Sequence, residues 1–275
     1  MTFPRYETLQ EITPFASLLV QHNPGLMTLE GTNTWVLRDP TSAGCIVVDP
    51  GQANGVDDDG APADSIGSDH VDALLAAVGS VDMVLVTHRH HDHYGVAAAV
   101  RDATGAPVRA TDPELCHGAP PLSDAEVLSA AGVVVRTLFT PGHTADSTSF
   151  VLQDSSGSPA AVLTGDMILG HGTTVVAHPD GVLGPYLDSL GVLRSVGPVT
   201  VLPGHGPVLP SLADVAAFYQ EHRQERLAQV RGALARLGPE ASAREIVADV
   251  YADVDEALWD AAELSVKAQL DYLRS

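Results

Sequence analysis

Over the first fifty residues, short apolar runs alternate with Gly and Pro turns: Ser17-Leu18-Leu19-Val20, Asn33-Thr34-Trp35-Val36-Leu37 and Cys45-Ile46-Val47-Val48. Runs of this length, rich in β-branched and aromatic residues and bounded by turn formers, predict strands. From Asp69 to Gly79 the period changes: Val71, Leu74, Leu75 and Val78 recur at helical spacing and a glycine closes the segment. The run Asp82-Met83-Val84-Leu85-Val86 predicts a further strand, and Tyr94 to Gly105 an alanine-rich helix. Strand patterns return at Val133 to Phe139, Thr148 to Leu152, Ala160 to Leu163 and Val199 to Leu202, with a helix at Pro185 to Val196 before the last of them. Between Pro120 and Gly132 the pattern fits a helix and a strand pair equally. Interleaved strands and helices predict α/β layers and not a helical bundle.

After Pro210 the strand pattern ends. Ser211 to Leu237 reads as one long helix, Ser242-Ala243-Arg244-Glu245 is a capping-box sequence opening a second, and Val254 to Leu273 forms a third. The expected division is therefore an α/β unit over 1–210 and a small all-helical appendage over 211–275.

Bulk properties narrow the function classes. With 275 residues and 45% hydrophobic content the chain can bury a substantial core. No apolar stretch reaches the roughly 20 residues needed to span a bilayer. Met1 to Gln10 lacks the basic start and apolar core of a signal peptide, so a cytoplasmic location without membrane partners is the expectation. The two cysteines, Cys45 and Cys116, do not form a ligand pair by spacing and are read as free thiols. The net charge of −21 disfavours sequence-independent binding of long nucleic acid. Part of that acidity lies in Asp57-Asp58-Asp59, within a Gly/Pro/Ala/Ser/Asp stretch from Gly51 to Asp69 that reads as a solvated loop.

Candidate chemistry is concentrated in Thr87-His88-Arg89-His90-His91-Asp92-His93-Tyr94-Gly95, directly after the 82–86 strand pattern. Loops leaving buried strands can fan side chains toward one point. Three more loops repeat the order strand, glycine, ligand: Pro141-Gly142-His143, Gly165-Asp166 and Pro203-Gly204-His205. His88, His90 and His143 make the three-imidazole set of a catalytic zinc with an open position; Asp92, His93 and His205 make a second set. Asp166 is a carboxylate that can bridge both. Two cations sharing a carboxylate and a water lower that water's pKa toward neutrality, so a bridging hydroxide, also held by Asp92, is the expected nucleophile. Two zinc ions per chain are the expected cofactors, with iron and manganese also compatible with these donors. His91 is expected to be exposed or to support the ligands from outside, and Arg89 to face solvent or an anionic substrate.

These motifs resemble the metallo-β-lactamase superfamily over Leu18 to Pro207. The resemblance implies a four-layer αβ/βα sandwich with a dinuclear metal site on one edge. True β-lactamases of the superfamily commonly carry cysteine at the later ligand position where this chain has Asp166, which argues against antibiotic hydrolysis. Three segments, 23–34, 165–174 and Glu221-His222-Arg223-Gln224-Glu225-Arg226, resemble more narrowly the β-lactamase-like protein 2 family. That family adds a C-terminal winged-helix-like domain, here expected in a truncated form without its basic wing, and includes single-strand-specific endoribonucleases. Related folds hydrolyse thioesters and lactones. The resemblance therefore implies a metal-dependent hydrolase of an ester, thioester or similar small acyl substrate, with single-stranded RNA as the alternative partner and an iron redox protein as a further one. Asn33 and His171 fall in the matched segments as candidate substrate-binding residues, their other readings being a turn-stabilising Asn and a surface His. His222 is expected to brace helix against core. A homodimer is compatible with the sequence.

Overall fold

Period-2 alternation decides which core each strand residue enters. The computed structural model describes residues 5–53, 67–252 and 255–275. Strands β1 (Gln10–Thr13), β2 (Ala16–Val20), β3 (Asn33–Leu37), β4 (Gly44–Val48), β5 (Ser80–Leu85) and β6 (Val108–Arg109) form one sheet in that spatial order. The pairs from β1 to β4 are antiparallel and the last two are parallel. Leu18, Val20, Trp35, Leu37, Ile46 and Val48 point into one apolar cluster, while the intervening Leu19, Val36, Cys45 and Val47 point into another. Both faces of the sheet are thus buried, which explains why these strands read as unbroken apolar runs.

The second sheet has the order β11-β10-β9-β8-β7, built from β7 (Val127–Ala130), β8 (Val133–Phe139), β9 (Thr148–Gln153), β10 (Pro159–Gly165) and β11 (Thr200–Pro203). Phe150, Leu152, Ala161, Leu163 and Leu202 meet the first sheet in the shared central core. Val151, Val162 and Val201 face outward, against helices. Helices α1 (Gly67–Val78) and α3 (Ala97–Thr104) cover the outer face of the first sheet through Leu74, Val78, Ala97 and Val100. Helices α4 (Leu183–Val196) and α5 (Leu212–Leu237) cover the second through Leu190, Leu193, Leu212 and Ala216. The architecture is the expected four-layer αβ/βα sandwich.

Two expectations were resolved by tertiary contacts. The Tyr94 to Gly105 helix is two pieces, α2 (His91–Tyr94) and α3, because the metal-ligand cluster itself forms the first turn and the Val96 amide donates to the Gly51 carbonyl between them. The ambiguous 120–132 segment contains β7, whose antiparallel pairing with β8 along Val127 to Ala130 supplies the cross-strand partners that local sequence does not reveal. The acidic Asp57-Asp58-Asp59 stretch lies outside the described residues.

The helical end begins as read. The Ser242 side chain accepts from the Glu245 amide while Glu245 accepts from the Ser242 amide, the reciprocal capping box opening α6 (Ala243–Val250). α7 (Trp259–Arg274) follows. The long α5 serves two cores: Leu212, Ala216, Tyr219 and Leu227 pack on the second sheet's helices, and Val230 and Ala233 pack with α6 and α7 through Ile246, Val247 and Val266. Among the described residues, no helix is long and apolar enough to cross a membrane.

Burial separates the two free thiols. Cys45 is fully buried in β4 and its thiol is pushed up to about 11 by desolvation, whereas Cys116 is partly exposed. Only the thiolate reacts quickly. A chromogenic disulfide reagent near pH 8 is expected to titrate a single thiol in the native protein and a second only in denaturant; two fast thiols without denaturant would contradict this placement of Cys45.

Candidate metal centre

Each ligand loop leaves the end of a strand. His88 to His93 follow β5, His143 follows β8, Asp166 follows β10 directly and His205 follows β11. The two sheets therefore contribute from opposite sides to one edge. Backbone bonds lock the loops together: the Thr148 amide donates to the Thr87 carbonyl at 2.8 Å, Gly204 to Gly165 at 3.0 Å and Asn33 to Gly204 at 2.8 Å. At Gly204 only hydrogen fits, since a Cβ there would lie 2.5 Å from Asp166 Oδ1 and 2.7 Å from His93 Cε1.

All seven sequence-predicted ligands converge, and all but His90 are buried. Three donor groups could each hold an ion: His88 with His90 and His143, His88 with His93 and Asp166, and Asp92 with His93 and His205. Asp166 stands between the first and last sets, with Oδ2 3.8 Å from His143 Nε2 and 3.5 Å from His205 Nε2, and Oδ1 3.4 Å from His93 Nε2.

The far side of each ring decides which nitrogen faces inward. Asp49 is buried at the end of β4 in a left-handed conformation (φ 52°) that aspartate tolerates better than most residues. Its carboxylate accepts from the Thr87 amide at 2.8 Å, from the Thr87 hydroxyl at 2.7 Å and from His93 Nδ1 at 2.8 Å. The Thr87 hydroxyl has one proton and spends it on Asp49, so across its 2.9 Å contact with His88 Nδ1 it must accept. One carboxylate thus sets the tautomers of His93 directly and of His88 through Thr87. His143 Nδ1 donates to the Val175 carbonyl at 2.8 Å and His205 Nδ1 to the Gly31 carbonyl at 3.2 Å. In their neutral forms all four rings present a bare Nε2 to the centre, an arrangement that suits a cation.

The donor set passes a second test of fit. Asp166 Oδ1 is buried without a hydrogen-bond partner. Ring nitrogens also face one another at hydrogen-bond distance, His88 Nε2 at 3.0 Å and His143 Nε2 at 3.1 Å from His90 Nδ1. Burial, reinforced by neighbouring histidines, holds His88 well below and His143 down to about 4, so both are neutral at physiological pH. The other set behaves oppositely. Burial alone would lower His205, but Asp166 and Asp92 overcome it and push it up to about 10; His93 is likewise raised against its burial by Asp92, Asp166 and Asp49. Burial disfavours both carboxylate anions, yet His93 and His205 hold Asp92 and Asp166 below the usual range.

Residues outside the donor sets have other tasks. His91 packs its ring edge against Tyr94. Arg89, half exposed, pairs with the buried Asp112 at 2.5 Å. Asn33 is buried and its amide nitrogen donates to the Pro203 and Gly206 carbonyls at 3.0 and 2.8 Å, so it braces the His205 loop. His171 is half exposed beside that loop and meets Glu30 at 3.0 Å. Asp49 is the functional residue that sequence reasoning did not single out, although an acidic residue directly after an apolar run is the same signal that marked Asp166.

The fold and donor set define the class first: a two-sheet α/β sandwich with a metal-capable His/Asp centre at its strand ends. Residues 27–205 match the model of the metallo-β-lactamase superfamily and residues 242–275 that of the β-lactamase associated winged helix domain. The chain belongs to the metallo-β-lactamase superfamily. It is similar to a β-lactamase-like protein 2 homolog of Caenorhabditis elegans, 30% identical over 278 residues covering 97% of this chain and 86% of the relative. An atrochrysone carboxyl ACP thioesterase of Aspergillus chevalieri is 32% identical over 267 residues, covering 92% of this chain and 78% of the relative. Among solved structures, a β-lactamase domain protein from Burkholderia ambifaria superposes with a TM-score of 0.78 at 22% identity, covering 99% of this chain and 90% of that one. A metallo-β-lactamase family protein from Thermus thermophilus gives 0.76 at 21%, with 95% and 94% covered.

Two outcomes follow from this geometry. A cation entering the Asp92–His93–His205 set must displace protons, because the raised His205 and His93 carry them in the metal-free protein. Affinity there is expected to rise with pH up to about 10, where His205 loses its proton. Around neutral pH the slope at the His88–His90–His143 set should be shallower, since His88 and His143 are already neutral there. Competition titrations with a chromophoric chelator at several pH values measure both slopes, and equal slopes would refute the assignment. Asp49→Asn removes an acceptor for donors from both sets and should weaken binding at both by roughly 10–100-fold.

Proposed function

We propose that this protein is a dinuclear metal-dependent hydrolase of small acyl esters or thioesters. The reading is carried by Asp166, a buried carboxylate with one oxygen outside any hydrogen bond, set between two donor groups each able to take an ion. His88, His90 and His143 would hold one cation, and Asp92, His93 and His205 the other, with Asp166 shared. Zinc fits the imidazole-rich set, and iron or manganese would use the same donors. When bound, such cations supply Lewis-acid polarisation of the acyl oxygen and acidify water.

The chain's own groups complete the chemistry. Asp92 can take a proton from water as its oxygen attacks the acyl carbon. The C–S or C–O bond then breaks, and the leaving thiolate or alkoxide takes that proton back from the Asp92 carboxyl. Gly31, whose carbonyl orients His205, closes a loop whose Leu26 and Met27 side chains are exposed. These are exposed apolar surface of the kind an acyl group would use. The thioesterase named among the relatives supports acyl transfer to water, and the net charge of −21 weighs against RNA as the preferred polymer. In this reading residues 1–210 carry the chemistry and 211–275 form a supporting helical unit.

The test is a panel of acyl thioesters, esters and lactones beside a fluorescent single-stranded RNA, each with metal-loaded wild type and Asp92→Asn. Thioester or ester turnover that falls about 10²- to 10⁴-fold in the variant is the expected result. Metal-dependent RNA cleavage without acyl hydrolysis would replace this reading with a phosphodiesterase.

A further inference from the structure

A segment running from Gly172 to Val175 is tied to α5 residue by residue. Tyr219 Oη donates to the Gly172 carbonyl at 3.1 Å, His222 Nε2 lies 3.4 Å from Thr173 Oγ1, and Arg223 Nη2 donates to the Thr174 carbonyl. Tyr219, His222 and Arg223 stand at i, i+3 and i+4, one face of the helix. The next residue is Val175, whose carbonyl accepts from His143 Nδ1 at 2.8 Å; Thr174 Oγ1 lies 3.3 Å from the same nitrogen.

Arg223 is the unusual member. Its side chain is buried, only 5% of the residue is exposed, and no carboxylate forms an ion pair with it among the described residues. Its Nε is buried without a partner, and its guanidinium lies over the Tyr186 ring, 5.1 Å from the centroid. Tyr186 in turn donates to the carbonyl of Met167, the residue after Asp166. Burying a cation without a counter-charge is expensive, so a charged donor here concentrates its effect on the acceptor it does meet. That acceptor is the carbonyl one residue before the group that orients His143.

We propose that Arg223 is a positioning residue for His143. By gripping the Thr174 carbonyl it holds the 172–175 segment at the register where Val175 O meets His143 Nδ1, which keeps His143 Nε2 turned toward His90. The helical unit is then part of the metal centre, acting on the His88–His90–His143 set and not on the Asp92–His93–His205 set, whose orienting groups are Asp49 and Gly31. The inference rests on the reading that these two sets each bind an ion.

Zinc affinity of the full-length protein tests it, by chelator competition on wild type, Arg223→Met and Arg223→Lys. The subsites are told apart by His143→Ala and His205→Ala, and folding is checked by circular dichroism. Arg223→Met is expected to weaken the His143 subsite roughly 10–100-fold and leave the His205 subsite within about twofold. Arg223→Lys, which keeps one charged donor but loses the planar fork, should fall between wild type and Arg223→Met at the first subsite only. If Arg223→Met does not fold, the lysine variant is read alone: a loss confined to the His143 subsite supports the proposal. Equal loss at both subsites, or no loss in a folded variant, overturns it. Failure of wild type to bind zinc, or indifference of zinc binding to both His143→Ala and His205→Ala, would instead overturn the reading of the centre itself.

Discussion

The buried Asp49 carboxylate, through its bonds to Thr87 and His93, organises the centre on which the rest of the edge depends. It accepts a backbone amide, a hydroxyl and an imidazole N–H in one place. Those three bonds anchor the first residue of the ligand cluster, fix one ring from each donor set and remove the freedom of Thr87 to donate elsewhere. A carboxylate can do this because it is acceptor-only, so every donor that meets it is forced into a single orientation. Without that polarity the bare nitrogens would not all face one point, and the same five histidines would form an ordinary buried hydrogen-bond network.

The sandwich makes this possible by separating what must be rigid from what must converge. Each sheet is buried on both faces, so its strands are held by packing along their whole length, and the ligand loops begin at their ends. The first sheet supplies Asp49 and the 88–93 cluster, and the second supplies His143, Asp166 and His205. Convergence is therefore set by the docking of one sheet on the other, through Trp35, Ile46, Phe150 and Leu163 in the shared core. Trp35 adds a direct tie, donating from its indole to the carbonyl of Pro203, two residues before His205.

Electrostatics divides the centre into unlike halves. His88 and His143 lie among other imidazoles, where burial dominates and keeps them neutral; His93 and His205 lie among carboxylates, which hold protons on them. One half would thus be ready for a cation at neutral pH, and the other would exchange protons for one. The helical unit reaches the first half through the α5 face that holds the 172–175 segment.

The sequence by itself determined the strand and helix alternation, the seven His and Asp residues that come together at the strand ends and the helical end, because each is encoded locally. Unbroken apolar runs such as Cys45 to Val48, a capping box at Ser242 and candidate ligands placed directly after glycine in three loops are readable without knowing any contact. Three things were decided only in three dimensions. β7 became a strand because β8 was there to pair with it. Asn33 became a brace because its partners, Pro203 and Gly206, lie some 170 residues away in the chain. The directions of the imidazole lone pairs, and the link from Arg223 to His143, depend on hydrogen bonds between segments remote in sequence. Residue type fixes which atoms can donate or accept, but which pairs meet is settled by the packing of the two sheets and α5.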